Sequence, residues 1–184
     1  MKPLLLALAA TALAGPALAQ QVLPAQSEIA FVSRQMGVPV EGKFKQWAAQ
    51  IAFDPKNAAA GKVGFTIQTG SASFGSPETD AEVPKAPWFN VAKFPTASFA
   101  SSAIKPLGGG RFEVAGTLSI KGNSQPVVVP VTVTQAGATS TATGSFTIKR
   151  LDFKIGEGEW TDTSMVANDV TVKFKLALSG MAPL

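Results

Sequence analysis

Apolar and polar residues alternate along most of the chain from residue 27 onward. Residues 170–178 show the pattern most clearly, because Val, Val, Phe, Leu and Leu occupy every second position. A period of two predicts half-buried β-strands. Comparable segments include 27–35, 38–44, 63–67, 112–120 and 142–150. The pattern therefore predicts about eight strands joined by short turns.

A barrel accounts for this strand pattern better than an open sheet. Short strands at this spacing indicate a sandwich or a barrel, and closure removes the exposed edges of the terminal strands. Residues 76–94 interrupt the pattern: Ser76 and Pro77 are a typical helix start, and Pro84 and Pro87 limit the helix. We predict an all-β fold, an extended eight-stranded antiparallel barrel with a short helical insertion around residues 76–94.

The inward positions of the predicted strands are rich in phenylalanine. Ser33, Gly116 and Gly144 occur among them and leave room between the rings. An eight-stranded barrel encloses either packed side chains or one small ligand. The inward composition therefore favours an elongated apolar tunnel.

The segment 145–160 is unusual because a strand whose inward face ends on Arg150 runs into a glycine-punctuated turn. Phe153 and Trp160 flank this turn, and Asp152 breaks the alternation. The arrangement is typical of the mouth of a cavity. An alternative is an Arg150–Asp152 pair that closes an ordinary core, with the two aromatic residues as a plug.

The N-terminus has the features of a secretory signal peptide. Lys2 precedes a short apolar run at 4–13, and Ala17 and Ala19 fit the cleavage rule. Cleavage is expected after Ala19, which leaves one domain of residues 20–184. The apolar run is too short to span a membrane, so we expect a soluble exported protein without stable membrane insertion.

Composition removes several classes of function. The chain has no Cys and no His, which excludes disulfides, histidine-based metal sites and Ser-His-Asp or Cys-His catalysis. The net charge is +4, but the basic residues are scattered over solvated faces and do not indicate nucleic-acid binding. No metal, cofactor or catalytic residue is predicted. A hydrolase that pairs Asp152 with Glu157 or Glu159 is the remaining enzymatic alternative.

Four motifs in the same order resemble the YceI-like family of secreted lipocalin-like proteins, from about Ser27 to Leu178. They are SEIAFVSRQMGVPVEGKFKQW with IAFDP, PWFNVAKFPTASFAS, GTLSIKGNSQPVVVPV, and IKRLDFKIGEGEW with NDVTVKFKL. The chain departs from the family pattern at Gln35, where many members carry His, and at Asn90, Phe94 and Lys154. Gln35 keeps hydrogen-bonding capacity but does not titrate near neutral pH.

The resemblance implies a barrel that holds a long isoprenoid or similar amphiphilic lipid, such as a polyprenyl quinone or polyprenyl phosphate. It also implies storage or transport in the bacterial periplasm, no catalytic activity, and a homodimer through an edge strand as one oligomeric option. The alternative is an envelope structural or stress protein whose barrel is simply packed and carries no cargo.

A lipid tunnel needs many apolar contacts and a few polar groups near its mouth. The candidates for contact with the apolar tail are Phe31, Met36, Phe44, Phe53, Phe65, Phe99, Leu118, Phe146 and Phe174. The candidates for the cover and mouth are Trp47, Trp88, Phe89, Phe94, Phe153 and Trp160. The polar candidates near a head group are Gln35, Arg150 and Asp152.

Overall fold

The alternating segments form one antiparallel sheet of eleven strands that curls into a half-barrel. The computed structural model describes residues 19–184. The strands are β1 (Gln21–Val22), β2 (Glu28–Gln35), β3 (Val38–Phe44), β4 (Trp47–Ala52), β5 (Lys62–Gln68), β6 (Ala72–Ser73), β7 (Thr96–Gly108), β8 (Arg111–Ile120), β9 (Asn123–Ala136), β10 (Thr139–Lys149) and β11 (Asp169–Ser179). The predicted signal peptide lies outside the described residues except for Ala19.

Neighbouring strands follow the order β4, β5, β7, β8, β9, β10, β11, β2, β3, β6, and β1 pairs with β11. One end of this path, β4, is linked to β1 and so to β11 through the residue before β1. Gln20 donates its amide hydrogen to Ile51 O (2.8 Å), and its side-chain Oε1 accepts from Phe53 N (2.8 Å). The N-terminal segment therefore connects the β11 side of the sheet to β4.

The all-β antiparallel prediction is confirmed, but the described residues form a half-barrel of eleven strands rather than a barrel of eight. The strands β1 and β6 contain only two residues each, too few for a period to be visible in a sequence.

The helical insertion is present as α1 (Pro77–Glu82) followed by turns. Ser76 caps α1, since its Oγ accepts from Thr79 N at 3.5 Å. Short 3-10 turns occur at Pro24–Gln26, Pro55–Ala60, Thr69–Ser71, Arg150–Phe153 and Gly158–Thr161.

Three phenylalanine rings lie directly over glycines on the inner wall. A Cβ atom at Gly42 would lie 2.4 Å from Phe31 Cζ, and one at Gly144 would lie 2.3 Å from Phe174 Cζ. Both are cross-strand pairs, Phe31 with Gly42 and Phe174 with Gly144. Gly116 and Phe99 repeat the contact at 2.5 Å. Each ring thus occupies space that a side chain would otherwise fill, so it rests against the wall.

We expect Gly144→Ala to lower the free energy of unfolding by about 1–3 kcal/mol, because the new methyl group overlaps both Phe174 and the carbonyl of Pro130. Urea denaturation at pH 7 measures the change. Gly64→Ala is the matched control, since the nearest atom to its new Cβ is 3.7 Å away. Equal effects of the two substitutions would show that the ring contact contributes nothing.

Candidate ligand-binding cavity

An elongated cavity of about 640 Å³ runs inside the curled sheet. Ten of the twelve phenylalanines line it, and among the described lining residues six are polar or charged: Ser33, Gln35, Glu78, Thr79, Glu82 and Arg150. Every second residue of β11 from Val170 to Leu178 lines the cavity. At a rise of roughly 3.3 Å per residue, the cavity extends about 26 Å along this strand. The volume and shape suit a chain-like molecule.

The cavity opens at one end. Five lining residues are exposed, namely Gln35, Met36, Glu78, Glu82 and Met165. They belong to α1, to the end of β2 and the turn that follows it, and to the loop of residues 150–167. The amide of Met36 donates to Met165 O at 2.8 Å, which joins the turn to this loop. We call this end the mouth.

The opposite end is closed by buried hydrophobic side chains. Phe53 and Phe112 meet there edge to face, with ring centroids 5.0 Å apart. They belong to a core cluster that also contains Ile104, Val133 and Leu178. All six polar lining residues lie near the mouth, on α1, on the last three residues of β2, or at Arg150, the first residue of the 150–167 loop. The cavity therefore has one polar and one apolar end.

Arg150 organises the mouth from a fully buried position. Its side chain follows the last residue of β10 and is 2% exposed. All five N–H groups of the guanidinium have a backbone carbonyl as acceptor: Ala167 O (3.0 Å, from Nε), Ile155 O (2.8 Å) and Gly156 O (3.3 Å, both from Nη1), and Trp160 O (2.6 Å) and Val166 O (2.7 Å, both from Nη2). An arginine has five such donors, so none remains.

The alternative of an Arg150–Asp152 pair is wrong. Asp152 is exposed, and the carbonyls take every donor of Arg150. Burial lowers the pKa of the Arg150 guanidinium, but an arginine pKa is so high initially that the group keeps its charge. The dipoles of five carbonyls replace a counter-ion.

Gly156 makes room for this guanidinium. A Cβ atom at Gly156 would lie 2.3 Å from Arg150 Nη1, and the residue has a positive φ of 86°. The amide of Gly156 donates to Pro87 O at 2.8 Å. Beside this contact the rings of Trp88 and Trp160 meet, with centroids 5.3 Å apart. The 84–95 segment and the 150–167 loop thus form one wall of the mouth.

We expect Arg150→Lys to lower the free energy of unfolding by about 2–4 kcal/mol, because lysine has three donors and leaves buried carbonyls without a partner. Urea denaturation measures this loss, and limited proteolysis within residues 150–167 reports local opening. Arg111→Lys is the control, since exposed Arg111 donates from Nε only to Gly108 O. Equal stability of both variants would contradict the organising role of Arg150.

Lys121 is a second buried cation beneath the same loop. It is 6% exposed, and its Nζ donates to Ala86 O (2.9 Å), Lys154 O (2.8 Å) and Glu157 Oε2 (2.7 Å). The hydrogen bond from Lys121, followed by its charge, lowers the pKa of the Glu157 carboxyl. The prediction that the basic residues lie on solvated faces is therefore wrong for Lys121.

The Lys121–Glu157 pair predicts a pH dependence. A carboxyl whose pKa is lower in the folded chain stabilises the fold above its unfolded-state pKa, and this contribution is lost as the pH falls through the folded-state value. We expect Glu157→Gln to be less stable than the wild type at pH 7, with a difference that shrinks below about pH 4.5, the ordinary value. Urea denaturation between pH 7 and pH 3 tests this. Glu159→Gln, at an exposed neighbouring position, is the control. A difference that is constant with pH would contradict the prediction.

The structure brings most of the sequence-predicted site residues to the cavity. Those lining it are Phe31, Gln35, Met36, Phe44, Phe53, Phe65, Trp88, Phe89, Phe99, Leu118, Phe146, Arg150, Trp160 and Phe174. Four do not line it. Trp47 packs on the core outside the cavity, Phe94 lies against Gly122, Asp152 is exposed, and Phe153 is buried in a core cluster with Ile120 and Ile148.

The cavity-facing side of α1 was missed by sequence reasoning. Glu78 and Glu82, and likewise Thr79 and Val83, are four residues apart and share one helical face. A helix of six residues is too short to show this face as a periodicity. Lys121 was missed because its Lys-Gly-Asn sequence reads as an ordinary turn.

The chain belongs to the YceI-like family, because the family model for the YceI-like domain matches residues 21–178. A UPF0312 protein from Enterobacter sp. (strain 638) is 40% identical over 88 residues, which are 48% of this chain and 45% of the relative. A UPF0312 protein from Ectopseudomonas mendocina (strain ymp) is 35% identical over 88 residues, 48% of this chain and 46% of that one. These alignments span about half the length of the curated relatives.

Solved structures share the fold. BcnA from Burkholderia cenocepacia is 46% identical with a TM-score of 0.83, and the alignment covers 85% of this chain and 99% of BcnA. A polyisoprenoid binding domain from Saccharophagus degradans has a TM-score of 0.70 at 17% identity, with 90% and 98% covered. At that identity the likeness concerns the fold alone.

Within residues 19–184, no helix has the length and hydrophobicity needed to cross a membrane.

Proposed function

We propose that this protein binds one long-chain amphiphilic lipid, of the isoprenoid class or similar, and stores or carries it. The observation that carries the proposal is the cavity: about 640 Å³, elongated, apolar along its length and polar at its open end. A lipid tail contributes binding energy in proportion to the apolar area it buries, and the polar end leaves the head group near water.

The relatives support the class of ligand. The Saccharophagus degradans domain is described as polyisoprenoid binding, and it shares the fold with this chain. The same curled sheet here surrounds a cavity of the size that ligand sites occupy. We extend the isoprenoid class to this protein on those two grounds together.

The alternatives explain less of the site. A packed structural barrel would not need an open apolar cavity about 26 Å long. For the hydrolase, none of Asp152, Glu157 and Glu159 lines the cavity, and Glu157 is bound to Lys121. We therefore propose a binding protein without catalytic activity, acting in the periplasm after removal of the signal peptide. Homodimer formation stays a prediction.

Purification from the native host, organic extraction and mass spectrometry test the proposal directly. A stoichiometric long-chain amphiphile is the expected result, and its mass identifies the lipid. A protein that is empty on purification and also fails to take up a prenyl chain in vitro would overturn the proposal.

We expect Ser33→Trp to weaken uptake of a fluorescent prenyl probe by about tenfold or more, because the indole fills the cavity near its mouth. Ser33 is only half-buried, so the fold has room to adjust. Fluorescence titration measures the dissociation constant. Arg34→Trp is the matched control, since Arg34 is the next residue of β2, is exposed and does not line the cavity. Equal binding by both variants would count against the cavity as the binding site.

A further inference from the structure

We propose that the mouth selects amphiphiles with an uncharged head group and rejects anionic ones such as polyprenyl phosphates, with Glu78 and Glu82 as the specificity-determining residues. This inference rests on the proposed lipid-binding function. It narrows the ligand class by the charge of the head group.

The first argument is that the cavity lacks a free cation. Among the described residues that line it, Arg150 is the single basic one. Its five N–H groups are all bound by backbone carbonyls, so a phosphate or carboxylate at the mouth would have to displace carbonyls that are themselves buried. Moving an anion out of water without a paired cation is strongly unfavourable. Arg150 is therefore structural and is not an anion receptor.

The other cations near the mouth are either bound to protein groups or lie outside the cavity. Lys121 is bound to Glu157 and two carbonyls beneath the loop, and it does not line the cavity. Arg34 donates to Gly37 O and lies on the outer face of β2. Lys85 pairs with Glu82 from outside the cavity. No described lysine lines the cavity.

The second argument is that the exposed charges facing into the mouth are negative. Glu78 and Glu82 are one helical turn apart on the cavity-facing side of α1, and both are exposed. An anionic head group held at the mouth would meet the carboxylate of Glu78 and that of Glu82, whose charge Lys85 partly offsets, whereas a hydroxyl or carbonyl head group could hydrogen-bond to Gln35 or Thr79 without this repulsion. The repulsion weakens with salt because both carboxylates are close to solvent.

The experiment compares two ligands with the same tail, geranylgeraniol and geranylgeranyl phosphate. Both displace a fluorescent prenyl probe from the wild-type protein at low ionic strength. We expect the alcohol to bind at least tenfold more tightly than the phosphate. In Glu78→Gln/Glu82→Gln/Lys85→Gln, which removes both carboxylates without freeing the lysine that pairs with Glu82, we expect the phosphate to bind about three- to tenfold more tightly than to the wild type, so that the preference for the alcohol falls. Added salt is expected to raise the affinity of the wild type for the phosphate.

The triple variant controls for the size of the phosphate, because the ligand is the same and the protein carries one negative charge fewer. Glu113→Gln is the matched control for net charge, since Glu113 is exposed on β8 and does not line the cavity. Equal or tighter binding of the phosphate by the wild type overturns the inference and leaves lipid binding intact. Selectivity that is unchanged in the triple variant overturns the assignment to Glu78 and Glu82. Failure of both ligands to bind overturns the proposed function itself.

Discussion

The buried guanidinium of Arg150 determines the shape of one end of the molecule. The loop of residues 150–167 contains only two short 3-10 turns, so much of its backbone has no partner within regular structure. Five carbonyls of this loop accept hydrogen bonds from a single planar group instead. Because arginine cannot lose its proton in a protein, this centre is permanent. The position of Trp160 at the mouth depends on its hydrogen bond with this guanidinium.

The interior stays partly empty because bulky side chains are held against the wall. Phe31, Phe99 and Phe174 each cover a glycine, so the rings supply hydrophobic surface without projecting fully into the lumen. An unfilled core normally costs stability in proportion to the void. Here the long hydrogen-bonded ladders of the sheet, such as the eleven paired positions between β10 and β11, offset this loss of stability. A ligand that fills the cavity would restore the missing dispersion contacts.

The sequence predicts the strands well because a period of two is visible in any segment of five residues or more. It also predicts the phenylalanine-rich lumen, since inward positions follow from that period. It does not predict the partners of Arg150, because these are carbonyls, which every residue possesses. The burial of Lys121 likewise depends on contacts with residues more than thirty positions away, Ala86, Lys154 and Glu157. Charge and burial at such sites are properties of the tertiary structure.

The acidic residues of α1 have different roles: Asp80 fixes the helix to the sheet, whereas Glu78 and Glu82 line the mouth. Asp80 accepts hydrogen bonds from Ser73 Oγ (2.8 Å) and Phe74 N (2.6 Å), which fixes the helix to β6 and its following residue. These hydrogen bonds lower the pKa of the Asp80 carboxyl, so the connection remains ionised at neutral pH. With α1 fixed in this way, the helical face that carries Glu78 and Glu82 stays on the cavity. The apolar walls offer the same kind of contact to any long tail, so on the proposed function the polar rim is where head groups would be distinguished.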